Sequence, residues 1–556
     1  MASAKPWLEH YPKEVSPTYD YPKMNVASML LASARRYPKH PALYFLGKSI
    51  DYDRTAREAA RFANVLRSLG IRHGDRIAIM LPNCPQVVAA TFGTLMVGAV
   101  VVMTNPLYKE RELEHQLADS GARLIVTLDL LHRRVLSVKA KTRLERIIVT
   151  SIKDYLPFPK NLLYPLKMKR DGTDLTVAYN DEVLSWTKLL HAASPSPEIA
   201  PVDADNDLAL LQYTGGTTGI AKGVMLSHSN LIANTVQNVH WAYKCEEGKE
   251  RFLAALPIFH VFGLTVIMLQ AVYRAAEMLL LPKFETKPVL ELIARKRPTL
   301  FPGAPTMYVA LINHPDIASY DLSSIRACIS GSAPLPHEVQ EQFEKVTGGR
   351  LIEGYGLTEA SPVTHANNIW EKRKPGIGIP FPDTDAKVVD LETGEEAPVG
   401  ELGELIVRGP QVMLGYWNRP DETEKVLRDG WLLTGDMARM DEDGFFEIVD
   451  RKKDLIIAGG FNIYPREVEE VLFEHPAVKE CAAAGIPDKY RGETVKAFIV
   501  LKEGASVTAE ELEKHCRERL AAFKVPRHYE FRQSLPKTMV GKVLRRKLFE
   551  EEQKGE

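Results

Sequence analysis

Apolar positions recur at helical spacing in "NVASMLLASARRYP" (residues 25–38) and "DRTAREAARFANVLRSLG" (residues 53–70). Each stretch therefore predicts an amphipathic helix, the second closed by Gly70 as a left-handed cap. Elsewhere the apolar residues form short unbroken runs rich in Ile and Val: "DRIAIM" (75–80), "ARLIVTL" (122–128) and "ERIIVTS" (145–151). Such runs suit parallel strands covered on both faces. Alternation of the two patterns predicts a layered α/β architecture. The stretch "VVAATFGTLMVGAVVVMT" (87–104) carries no charge and just reaches the length of a membrane span. Gly98 splits it into a small-residue helical part and a β-branched run, so it is read as a buried helix followed by a buried strand. No repeat of solenoid period is present.

From residue 376 to residue 450 the texture changes. "DAKVVDLETGEEAPVGELGELIVRG" and "DGFFEIVDR" are alternating strands joined by Gly and Pro turns, predicting a small β-barrel or meander. A third texture follows "DRKKD". It holds a Pro-initiated helix in "YPREVEEVLFEHP", a strand pair around "KAFIVLKEG", and "TAEELEKHCRERLAAF" with Thr508 and Glu511 in capping-box spacing. The expected organisation is a large layered α/β part with the small barrel, residues 1–452, and a small α+β domain, residues 453–556.

Composition changes this picture little. A chain of 556 residues implies more than one domain, and 45% hydrophobic with 26% charged residues is ordinary for a globular protein. A net charge of −1 argues against nucleic acid as partner. The five cysteines are dispersed without C-x-x-C spacing, which points to reduced thiols and no zinc site. The opening "MASAKPWLEHYPKE" has no apolar signal region, so a cytoplasmic protein is expected.

Five clusters carry candidate chemistry. "YTGGTTGIAKG" (213–223) gathers glycines, hydroxyls and Lys222, a composition that lets backbone N–H groups converge on phosphate. It is not a Walker A loop, because Gly223 follows the lysine where that motif needs Ser or Thr. Strand-like "LALLQY" and "VMLSH" flank it, so it is read as a hairpin tip; a flexible surface turn is the plain alternative. "EGYGLTEASP" (353–362) offers the ring of Tyr355 for base stacking, the hydroxyl of Thr358, and Glu359 as a hard ligand for magnesium. "LLTGDMA" places Asp436 at an expected strand end, where it would otherwise cap a turn. "IVDRKKDLIIAGGFNIYP" combines Arg451 with the pair Gly459-Gly460, and "LPKTMVGKVLRRKL" carries Lys542.

Taken in this order, the clusters resemble the adenylate-forming superfamily of acyl-CoA synthetases, peptide-synthetase adenylation domains and beetle luciferases. Finer texture ("DGWLLTGD", "GFNIYP", "MLPNCPQ", "TNPLY") is most similar to bacterial long-chain fatty-acid–CoA ligases. The resemblance implies that Thr214, Gly215, Gly216, Thr217, Thr218, Gly219 and Lys222 bind the β- and γ-phosphates of ATP. It implies an adenine site of Gly331, Ser332, Ala333 and the segment Glu353, Gly354, Tyr355 and Gly356. Thr358 would touch the α-phosphate, Glu359 with Thr218 would hold Mg²⁺, and Asp436 with Arg451 would bind the ribose. His260, in "LPIFHVFGL", would border the acyl carboxylate, although a histidine so flanked is more often a core residue. Lys542 would stabilise the adenylation step. The small domain would then turn about Lys453, where many relatives have Asp, and Gly459-Gly460 would line a CoA channel.

The implied partners are a fatty acid and CoA, homodimers being common among relatives. Ligases for medium-chain or aryl acids, and enzymes loading a carrier protein, use the same clusters. One segment stands apart. "YLPFPKNLLYPLKMKR" (155–170) mixes aromatics, leucines and cations. It is read as an irregular excursion whose aromatics pack on the body, with peripheral contact to anionic membrane as the alternative.

Overall fold

The computed structural model describes residues 5–214, 221–371, 373–451, 454–458, 461–488, 491–538, 542–545 and 547–548. Its largest sheet has eight strands, ordered Gly415–Tyr416, Lys222–Ser227, Leu208–Thr214, Val100–Met103, Arg76–Met80, Leu124–Leu128, Arg146–Thr150 and Val183–Ser185. From Leu208–Thr214 to Val183–Ser185 each strand runs parallel to the next. Lys222–Ser227 and Gly415–Tyr416 turn back antiparallel at one edge. The three Ile/Val runs are adjacent strands of this sheet, covered on both faces as their composition requires.

The uncharged stretch divides as expected into the helix Pro85–Met96, buried throughout, and the strand Val100–Met103. Among the described residues no helix is long and apolar enough to cross a membrane. The helix Tyr52–Ser68 starts at Asp51, whose side chain accepts the Arg54 N–H at 2.8 Å. It packs against Pro85–Met96 so closely that a Cβ on Gly93 would stand 2.7 Å from the Ala59 carbonyl oxygen.

A second sheet orders Arg251–Ala254, Glu277–Leu280, Pro41–Phe45 and Lys48–Asp51, and a third orders Ala327–Ser330, Arg350–Gly356, Val363–Ala366 and Ile379–Pro380. One continuous apolar core joins all three sheets. The β-rich region takes the open meander form, in which the long strand Trp431–Met440 pairs with Gly403–Arg408 on one side and with Leu427–Arg428 and Phe446–Arg451 on the other.

Asp436 departs from its expected place at a strand end: it lies within Trp431–Met440. Ile406 opposes Leu433 while Glu404 opposes Met437, so Thr434, Gly435 and Asp436 bulge out opposite Leu405 alone. Gly435 supplies the left-handed backbone this needs, at φ +72. Thr434 Oγ1 donates to the Leu405 carbonyl at 2.7 Å, and Glu404 Oε1 accepts the Gly435 N–H at 3.0 Å.

Beyond residue 455 a further sheet orders Phe461–Ile463, Ile456–Ala458, Gly492–Leu501 and Val478–Asp488, with His528–Phe531 alongside Gly492–Leu501. It has its own core, in which Val468 and Leu472 of the helix Pro465–Phe473 meet Ile499 and Leu512. The helix Ala509–Arg517 carries the expected Thr508–Glu511 capping box. Residues 160–170 also differ from expectation: they form the helix Lys160–Arg170, with Pro165 inside it, where an irregular path was expected.

Candidate active site

The hairpin Leu208–Thr214 and Lys222–Ser227 brings Thr214 opposite Lys222 at the mouth of the glycine-rich tip. Gly215, Gly216, Thr217, Thr218 and Gly219 lie outside the described residues. Lys222 Nζ stands 2.6 Å from Glu422 Oε2 and 4.8 Å from the centre of the Tyr416 ring. Tyr416 in turn donates its hydroxyl to Glu359 Oε1 at 2.7 Å. Hydrogen bonds from Lys222 and Lys425 hold the Glu422 carboxyl down to about 2. Thr358 opens the single turn Thr358–Ala360 that also carries Glu359, and the Glu359 carbonyl accepts the Met413 N–H at 2.8 Å. The elements proposed to meet the phosphates are thus tied together through Tyr416.

Among the described residues no group of three or more His, Cys, Asp or Glu could hold a metal ion. Glu359 keeps its second carboxylate oxygen beyond the one that Tyr416 engages. One such carboxylate suits magnesium, which usually completes its shell with water and substrate phosphate oxygens. The donor set therefore fits a metal that arrives with nucleotide.

At the other end, Ala327–Ser330 runs parallel to Arg350–Gly356 with Ser330 opposite Glu353. Gly331 and Ala333 follow, with Ser332 between them at φ +72. Ser330 Oγ is buried with no hydrogen-bond partner among the described residues. The glycines of this region are required by the protein's own packing. A Cβ on Gly331 would stand 2.9 Å from the Phe262 ring, on Gly354 2.7 Å from Ile329, and on Gly356 2.1 Å from the Pro362 carbonyl oxygen. Tyr355 sits edge-on to His365 and donates its hydroxyl to Asp436 Oδ2 at 2.6 Å. Asp436 Oδ1 lies 3.1 Å from Arg451 Nε, its register partner on the next strand. The bulge at residues 434–436 thus turns Asp436 into a bridge between two sequence clusters.

Glu353 Oε2 lies 3.7 Å from Arg466 Nη2, which comes from the helix Pro465–Phe473 of the small sheet's unit. Burial raises the Glu353 carboxyl, and Arg466 opposes that shift. His260 is brought to the small unit as well. Its imidazole is lowered to about 4, first by burial and then by the positive charge of Lys542. Lys542 is held in a tight turn: its N–H donates to Thr538 Oγ1 at 3.1 Å, and the Thr538 N–H donates to its carbonyl at 2.8 Å. Thr538 and Lys537 also line a cavity of about 520 Å³ together with Pro82, Phe259, Phe284 and Met307. Lys453, Gly459 and Gly460 lie outside the described residues.

Tyr416, Glu422, Arg466 and Arg545 escaped the sequence reading. Arg545 Nη1 is 3.2 Å from Asp454 and 3.9 Å from Asp450, while its Nη2 is 2.8 Å from Glu469. Tyr416 sits in a two-residue edge strand and Glu422 and Arg466 in ordinary helices, and only the fold brings them to the motif residues. The "GYW" stretch at 415–417 was the one available signal, a glycine-aromatic pair near the glycine-rich loop's outer edge.

Comparison with known proteins agrees along the whole chain. A family model described as AMP-binding enzyme matches residues 30–417, and one described as AMP-binding enzyme C-terminal domain matches residues 467–542. The long-chain-fatty-acid–CoA ligase of Bacillus subtilis (strain 168) is 54% identical over 554 residues, 99% of each chain. The ligase of the same name from Escherichia coli O157:H7 is 42% identical over 553 residues, 98% of each chain. The crystal structure of the anthranilate CoA ligase AuaEII with anthranoyl-AMP superposes with a TM-score of 0.86 at 29% identity, covering 96% of this chain and 98% of that one. ATP-bound MatB from Rhodopseudomonas palustris gives 0.82 at 31% identity, covering 94% of this chain and 98% of that one.

Proposed function

Since the chain belongs to the AMP-binding enzyme family, we propose that it is a long-chain-fatty-acid–CoA ligase, making acyl-adenylate from fatty acid and ATP and then passing the acyl group to CoA. The observation that carries this reading is the 54% identity, over nearly the full length of both chains, to a relative bearing that name. Domain limits at 452/453 and the roles given to individual residues form part of the same proposal.

In the first step a carboxylate oxygen of the fatty acid bonds to the α-phosphorus of ATP, and the bond to the β-phosphate oxygen breaks, releasing pyrophosphate. The acid is its own nucleophile, so the protein need supply no attacking side chain. The obstacle is the approach of one anion to another, and fixed positive charge lowers it. Lys222 leaves Glu422 for the terminal phosphates, and Lys542 presents its ammonium beside His260. His260 stays neutral near pH 7, so it can border the carboxylate as an acceptor or donor without adding a second cation. Asp436 and Arg451 hold the ribose, and Tyr355 fixes Asp436 through its hydroxyl. A magnesium ion on Glu359 would neutralise phosphate charge when bound.

In the second step the CoA sulfur bonds to the acyl carbon, the acyl–phosphate bond breaks and AMP leaves. The small domain turns about Lys453 between the two steps, withdrawing Lys542 and bringing Gly459-Gly460 to the thiol's path. The apolar cavity beside Phe259 and Met307 suits an alkyl tail, since each buried methylene contributes about 0.8 kcal/mol.

Incubation with palmitate, labelled ATP, magnesium and CoA tests the reading. AMP, pyrophosphate and palmitoyl-CoA are the expected products. ADP with orthophosphate in their place overturns it.

A further inference from the structure

The helix Lys160–Arg170 lies on the surface of the protein. Its leucines face outward. Leu162, Leu163 and Leu166 are 63%, 56% and 65% exposed, and Phe158 in the preceding turn is 79% exposed. None of the helix residues is buried. Leu162 and Leu166 are four residues apart, so they lie on one stripe of the helix, and Phe158 stands exposed in the turn that leads into it. Lys169 and Arg170 continue that stripe by one turn, and Leu163 and Lys167 flank it. The partly buried Asn161, Tyr164, Pro165 and Met168 turn the other way, and Tyr164 packs against the main core.

The helix is firmly seated. Tyr155, just before it, donates its hydroxyl to Glu58 at 2.7 Å, and Lys160 Nζ donates to the Leu46 carbonyl at 3.2 Å. The outward apolar stripe is therefore not a loose end that lacks a place in the core. No acidic residue occurs between residues 155 and 170, and the flanking Asp171 lies 3.8 Å from Arg170. Lys167 and Lys169 stand in solvent beside the leucines.

From this juxtaposition we propose that Phe158 and the outer face of the helix Lys160–Arg170 dock the enzyme on an anionic lipid bilayer, the leucines entering the interface while Lys167, Lys169 and Arg170 meet the headgroups. Interfacial helices have this arrangement: an apolar stripe bordered by Lys and Arg, lying in the plane of the surface. A second copy of this chain fits the face less well. A two-fold contact through it would set two clusters of like charge against each other. The inference rests on the proposed function, whose acyl substrate itself partitions into bilayers, and it concerns where that substrate is collected.

The test is co-sedimentation of the full-length enzyme with phosphatidylcholine vesicles, with and without phosphatidylglycerol. The unaltered chain should bind the anionic vesicles and leave the neutral ones. Two variants serve independently: L162Q/L163Q/L166Q and K167S/K169S/R170S. Each should weaken partition onto anionic vesicles by about tenfold or more, as expected when several interfacial contacts are lost together. Each should also slow turnover of vesicle-borne palmitate while leaving turnover of dissolved octanoate unchanged. Equal sedimentation of all three proteins overturns the proposal. So does a dimer in sedimentation velocity that the leucine variant splits, which would make the face a contact between copies. Failure of the unaltered enzyme to activate any acid would instead sink the proposed function, leaving the vesicle result readable by itself.

Discussion

Lys542 acts at the scale of a single charge. Its ammonium lies near enough to His260 to depress the imidazole further than burial alone would. Lys542→Ala should slow pyrophosphate release by about 10²–10³-fold, the usual loss when one preorganised electrostatic contact to a transition state is removed. CoA transfer from supplied palmitoyl-AMP should be spared; if both half-reactions fail together in rapid-quench assays, the lysine has some other role. Two further histidines govern acid stability. Burial lowers His228 to about 4 and His365 to about 3. Between pH 6.5 and 4 the unfolded chain therefore takes up protons that the native state refuses. Stability is complete above pH 6.5 and drains away as pH falls, by ~3 kcal/mol per histidine at pH 4. Urea midpoints measured across this range should fall less steeply for His365→Leu than for the unaltered chain; parallel slopes would exclude His365 as a contributor. The motif residues themselves were legible in the sequence because their spacing is dense and unusual. Their partners were not: Glu422 is two hundred residues from Lys222, and its own surroundings are those of any exposed helix carboxylate.

At the scale of elements, the hydrophobic period located helices and buried strands because burial on one face or two leaves a distinct rhythm. It failed where the backbone breaks that rhythm. Gly435 in the left-handed region lets three residues stand out opposite one, so Asp436 leaves the two-residue alternation without ending the strand. The helix Lys160–Arg170 was hidden for another reason: its apolar stripe faces solvent and Pro165 interrupts it, so the pattern lacked the inward face that helical reading relies on. Gly93 offers a direct measure of how tightly two well-read helices meet. Its added Cβ would press on the Ala59 oxygen at 2.7 Å and on the Phe62 ring at 2.9 Å. Gly93→Ala should destabilise the chain by about 1–3 kcal/mol despite the better helix propensity of alanine. Denaturant unfolding checks it, and a stabilised variant would mean that the helices part without penalty.

For the whole molecule, the question is how the small unit is held against the large one. Arg466 reaches Glu353 across the boundary, donates to the Ile448 carbonyl at 2.8 Å and lies 2.9 Å from Glu470. Arg466→Ala strands the buried Glu353 carboxylate. Pyrophosphate exchange should drop by about tenfold or more, because a broken partly buried pair leaves one charge without compensation. Thioester formation from supplied acyl-AMP should change much less, since it uses the rotated arrangement; an equal drop in both would point to general misfolding. Asp450 feels the same boundary. Burial lifts its carboxyl to about 6, while Arg545 and the Arg466 N–H pull it back. If the small unit swings away and water reaches this carboxyl, its affinity for a proton falls toward the ordinary value near 3.9. The swing then becomes a protonic event: around pH 6 each excursion would expel a fraction of a proton, and each return would recapture it. Heats of CoA binding recorded in buffers of different ionisation enthalpy would diverge near that pH and converge well above it.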